Sequence, residues 1–202
     1  MQERYSHILE QWFIMEPPLF QVLCIHELVP NEQMTCPLRS GRKKLEYNPL
    51  IVNEMSDAAL EEALRAEAVR LLLKHPYERR PEGCSQKSMG LASNLVVGDN
   101  YSHPRFRIET PQDMGLKSGM SYEWYAREIE KQHEGGGGGS SDEEGDNQQS
   151  ESPAGDKHRD LAELWEEDEL TIQLINGVIA STKSWGSISG NFAELLTNSL
   201  KA

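Results

Sequence analysis

The chain has 202 residues, 37% of them hydrophobic, enough for one ordinary domain with appendages and a real core. Its formal charge of −13 is concentrated in one stretch, where thirteen acidic residues between Glu134 and Glu169 face only Lys157 and Arg159. With no basic face to neutralise phosphates, nucleic acid is excluded as an expected partner, and no apolar run approaches membrane-spanning length.

Residues 3–15 carry Tyr5, Ile8, Leu9, Trp12 and Phe13 at helical spacing, which predicts a first helix packed on the core. Pro17 and Pro18 break it and suit the first turn of a second helix over 17–28, with His26 as a solvated or capping imidazole near its end. An antiparallel hairpin is expected next, from Met34–Arg39 through a Ser40-Gly41 turn to Lys43–Asn48, followed by a short helical segment over 49–55.

The helix over 56–75 organises the rest. Ser56 is a good N-cap, Asp57 sits in the positive first turn, and Pro76 forbids further regular helix. Leu60, Leu64 and Leu71 fall on one line, flanked by Ala63 and Ala68, while Glu61, Glu62 and Arg65 project away. Glu67 does not: at roughly 100° per residue it lies within about 20–40° of the apolar line, so a carboxylate falls on the face meant for burial. Arg70, three residues on, is within ion-pair reach and offsets a charge that would be costly to bury alone.

After the helix, residues 81–88 read as loop, Met89–Val97 as a short apolar helix, 101–119 as irregular, and Met120–Gln132 as a helix capped by Ser121. Residues 134–159 form an acidic Gly/Ser-rich stretch with almost nothing to bury, expected to be a disordered linker. Its five glycines lack the preceding strand and following Gly-Lys-Ser/Thr of a phosphate loop. From Leu161 helical periodicity returns (Leu164, Trp165, Ile172, Ile175, Ile179), and a turn at Trp185–Gly190 leads into a last helix. The expected organisation is a first unit over 1–133, the linker, and helices over 160–202 packing back on that unit. The odd, widely spaced Cys24, Cys36 and Cys84, with no signal peptide before them, point to a reducing cytoplasm.

A buried-side glutamate bracketed at −1 and +3 has the spacing of the zinc-peptidase helix H-E-x-x-H. Together with Tyr47-Asn48-Pro49, His75 and Arg79, Ala92-Ser93-Asn94 and the Gly186–Gly190 turn, the chain resembles a bacterial metallopeptidase-like domain found N-terminal to a von Willebrand A-like domain. The likeness spans roughly residues 17–195 without the acidic insert. It implies an α+β, mostly helical, zincin-like fold with a small antiparallel hairpin or sheet, and zinc in active relatives. The family's metal positions fall on Ala66, Arg70 and Asn94, none a zinc ligand: alanine has no donor, arginine stays protonated, and a neutral amide binds zinc poorly. The resemblance therefore implies no cofactor and no metal here, with Glu67 vestigial and a pocket built from Tyr47, Asn48, Glu67, Arg70 and His75.

The expected function is that of a pseudoenzyme, a binding or scaffold component working with a von Willebrand A-like protein or an AAA-type ATPase supplied by another chain. Two alternatives stand beside it. One is an active metal-dependent hydrolase with a relocated site recruited from Glu67, His75, Cys84 and His103. The other is a non-enzymatic adaptor whose acidic insert binds a basic partner. His75 itself reads as a helix-terminal imidazole on the last carbonyls.

Overall fold

The computed structural model describes residues 1–135 and 153–201. It is mostly helical with one small sheet, an α+β arrangement. Helix α1 (Gln2–Met15) packs on α2 (Pro17–Cys24), and the sheet follows as β1 (Glu27–Pro30), β2 (Leu38–Gly41) and β3 (Lys44–Tyr47). Then come α3 (Pro49–Val52), the central α4 (Asp57–Leu72), α5 (Gln86–Asn100), a short 3-10 turn at Pro111–Met114 and α6 (Tyr122–Gly135). The C-terminal part contributes α7 (Pro153–Leu161), α8 (Glu169–Ser181) and α9 (Gly190–Ser199). No helix among the described residues is long and apolar enough to cross a membrane.

The expected antiparallel hairpin is present as β2 and β3, and β1 adds to it, giving a mixed sheet in the order β1-β3-β2. β3 pairs antiparallel with β2 and parallel with β1, Leu28 opposite Leu45. The second helix accordingly ends at Cys24 instead of residue 28, and Glu27–Pro30 is strand. The hairpin turn is also displaced from Ser40-Gly41. Arg42 and Lys43 turn the chain, both at positive φ (51° and 57°), the requirement of a two-residue type I′ connection. Gly41 is reserved for another purpose: at φ 149°, a Cβ there would lie 2.6 Å from the Leu164 carbonyl oxygen.

α4 is buried nearly all round. Ser56 caps it by accepting from the Ala59 amide, and every residue from Ala66 to Leu72 is buried. α2, β2, α5 and α8 surround it. Even Arg65 on its outer face is half-buried, held over the Trp12 ring and bonded to Glu61, Ser187 and the Tyr101 hydroxyl.

Helix α5 begins at Gln86, three residues before the expected Met89, because Ser85 accepts from the Ser88 amide and caps it. Much of the acidic stretch over 134–159, and with it the expectation of disorder, lies outside the described residues. Its end is different: α7 runs to Leu161, and the chain over 162–168 is non-helical before Asp168 caps α8. The helical periodicity expected from Leu161 thus fails at first: α7 ends at Leu161, Leu164 and Trp165 lie in the non-helical stretch, and helix resumes only with α8. α8 packs on α2 and α4, and Ile175, Ile179, Phe192 and Leu196 join the main core.

Candidate functional site

The centre of the molecule is a polar network around α4. Glu67 (3% exposed) and Arg70 (2% exposed) are buried and paired, the Arg70 Nε donating to Glu67 Oε1 at 3.3 Å. The other carboxylate oxygen accepts from the Ser40 hydroxyl at 2.8 Å, which places β2 directly on the helix. Arg70 extends its remaining reach to α5, donating Nη1 to Ser93 Oγ and Nη2 to Asn94 Oδ1, both at 2.6 Å. A guanidinium is a rigid fork of five donors, and here it ties α4 to α5, while Glu67 ties α4 to β2.

The network continues on both sides of α5. The Asn94 amide donates to Glu109 Oε2 at 2.9 Å, and Glu109 Oε1 accepts from His158 Nε2 at 2.9 Å. Burial raises the Glu109 pKa, but the hydrogen bond and charge of His158, with a backbone hydrogen bond and the charge of Lys157, together outweigh it and bring the carboxyl to about 2. On the other side Ser93 Oγ lies 2.7 Å from His75 Nδ1. Since Ser93 accepts from Arg70, its own hydroxyl proton goes to His75. Burial, with the charges of Arg70 and Lys74, lowers the His75 pKa to about 3, so the ring stays neutral and accepts that proton. The imidazole stacks on Tyr122, ring centroids 4.3 Å apart. It is not the carbonyl-capping group expected.

A cavity of about 20 Å³ borders this network, lined by Glu67, Arg70, Asn94, Leu38, Lys157 and Leu161 among others. That is room for one water molecule, and α7 covers it. The five residues expected to share a pocket are not brought together. Tyr47 sits in the core, Asn48 caps α3 and donates to the carbonyls of Glu32 and Met34, and His75 lines a different cavity.

The residues do not fit a zinc ion. Ala66 is buried without a donor, the Arg70 guanidinium fills the space between α4 and α5, and the Asn94 amide is committed to Arg70 and Glu109. The relocated set is not assembled either. Among the described residues no three of His, Cys, Asp and Glu converge to hold a metal. His103 stands apart near Tyr101, its pKa lowered by burial to about 4, and Cys84 precedes the cap of α5. His26, expected as a solvated or capping imidazole, is buried and caps: its Nδ1–H donates to the Val22 carbonyl in the last turn of α2, and its Nε2 accepts from the Tyr77 hydroxyl at 2.6 Å.

Four members of the network carry no signal that sequence reasoning picks up. Ser40 is masked by its turn-like Ser-Gly context, and Ser93 lies between two neighbours with more conspicuous roles. Glu109 and His158 lie in stretches without periodicity, and their partners are 15 and 49 residues away. Comparison with protein-family models, with curated proteins and with solved structures yields no match.

Proposed function

We propose that the chain is a zincin-like pseudoenzyme domain, a binding or scaffold component in which Arg70 stands where active relatives hold zinc. The observation that carries this reading is Arg70, each of whose three nitrogens donates to a buried partner. A permanent cation offsets Glu67 and bonds Ser93 and Asn94, and in this reading it replaces the metal that would polarise water. The covered cavity, with room for a single water, supports binding elsewhere on the surface over hydrolysis at the centre. The family that the chain resembles points to a von Willebrand A-like protein or an AAA-type ATPase as the partner, in the cytoplasm.

Metal analysis of the purified protein tests the reading, with zinc well below one equivalent per chain as the expected result. The triple change Ala66→His, Arg70→His, Asn94→Asp is expected to take up about one zinc, with a thermal shift that a chelator reverses, because binding to the native state adds stability. Stoichiometric zinc in the wild type overturns the metal-free reading. A folded triple variant without zinc affinity overturns the zincin-like placement of the three positions.

A further inference from the structure

His75 also lines a second cavity, of about 370 Å³, between the C-terminal end of α4, the end of α5, the approach to α6 and α9. This volume lies at the lower end of the roughly 300–1,000 Å³ typical of small-molecule sites. The lining divides by chemistry. Val96, Met120 and Leu196 give an apolar wall, Lys74 supplies a cation, and Glu78 and Asp99 supply carboxylates.

Lys74 is an unusual residue for its place. It follows α4 at φ 65°, a left-handed position that glycine normally fills at a helix C-terminus, and strain of this kind collects at functional sites. Its side chain is buried, and the ammonium donates to Asn176 Oδ1 at 2.8 Å and Ser199 Oγ at 3.1 Å. An ammonium has three donors, so one remains for a ligand acceptor. Burial lowers the Lys74 pKa and raises that of Glu78, as expected for charges that water solvates poorly. Glu78 and Asp99 are half-buried. Asp99 accepts from the Gly119 amide through one oxygen at 2.7 Å, leaving the other for a donor.

We propose that this cavity binds a free amino acid with an apolar side chain: its carboxylate on Lys74, its ammonium on Glu78 and Asp99, and its side chain against Val96, Met120 and Leu196. A simple carboxylic acid would meet two carboxylates, and a simple amine would meet the lysine. A zwitterion satisfies both signs, and the apolar wall takes what remains. If Lys74 only ties α4 to α8 and α9, the cavity has no preference for a zwitterion.

Calorimetric titration of the full chain with L-phenylalanine and L-leucine tests the site, alongside 3-phenylpropionate and 2-phenylethylamine, which each lack one charge. One or both amino acids are expected to bind saturably. Each phenyl analogue is expected to bind at least about tenfold more weakly than phenylalanine, the effect of losing one charge-assisted hydrogen bond. Asp99→Asn, which keeps an oxygen to accept from the Gly119 amide, is expected to fold as the wild type does by circular dichroism, to weaken the amino acid by a similar factor and to narrow its advantage over 3-phenylpropionate. Absence of saturable binding overturns the proposal, as do analogues that bind as well as the amino acid or unchanged affinity in the Asp99→Asn variant.

Discussion

Arg70 and Glu67 illustrate how a charge is made tolerable inside a core. Each is almost fully enclosed, and each has hydrogen-bond partners beyond the other: Ser40 for the carboxylate, Ser93 and Asn94 for the guanidinium. Such a pair adds little over a well-packed apolar pair, but removing one member strands the other, at a cost of several kcal/mol. Arg70→Ala is expected to destabilise by about 3 kcal/mol in denaturant titration. Adding Glu67→Gln should recover part of that loss, because the amide needs no counter-charge. A loss under about 0.5 kcal/mol for Arg70→Ala would mean that the carboxylate finds water or another donor. The pair is legible in the sequence because both members lie within one helical turn, where periodicity fixes their relation. Glu109 and His158 are not, since no local rule connects residues on different elements.

At the scale of elements, the helix with a recognisable N-cap is the one that sequence describes best: Ser56 caps α4 as expected, while the helix ends at Leu72, short of the expected 75, with Lys74 at positive φ before Pro76 is reached. The departures elsewhere have physical causes. β1 exists through its parallel pairing with β3, a contact across the chain that a four-residue segment such as Glu-Leu-Val-Pro does not announce. Gly41 looks like a turn residue, but its missing side chain makes room for the Leu164 backbone, while Arg42 and Lys43 accept positive φ. Gly90 works the same way within α5. A Cβ there would run into the carbonyl oxygen of His158, so α7 can lie on α5 only because this position is glycine. Helix propensity alone favours Gly90→Ala by about 1 kcal/mol. The contact predicts the opposite sign, a net loss of about 1–3 kcal/mol from overpacking, read as a lower denaturation midpoint at unchanged slope. A gain in stability for Gly90→Ala would show that α7 does not rest on α5 in solution.

Over the whole molecule, the segment from His158 to Glu166 is tied to the sheet and to the stretch between α4 and α5. Asp160 accepts from the Thr35 amide and hydroxyl and from Arg39, which also pairs with Glu46. Arg80 donates to the Trp165 carbonyl, Gln86 to the Arg159 carbonyl, and the Glu166 amide to the Pro76 carbonyl. Beyond this polar clasp, Leu161, Ala162 and Trp165 fill a core with α5 and α6, and the buried side chains of α8 and α9 fill the other. Each fully buried large apolar side chain contributes roughly 1.5–3 kcal/mol, so residues after the insert are held by far more than the covalent link. Periodicity along the chain reveals the apolar faces of these helices, but the clasp depends on charges scattered across the chain. A specific protease site placed at residue 145 puts the covalent link to the test. After cleavage under native conditions the two pieces are expected to co-elute in gel filtration, with helical content retained. Adding Asp160→Ala should lower the denaturant concentration at which they part, because Arg39 and the Thr35 amide lose their shared acceptor. Fragments that separate without denaturant would mean that the C-terminal helices form a unit of their own and that the clasp does not hold them.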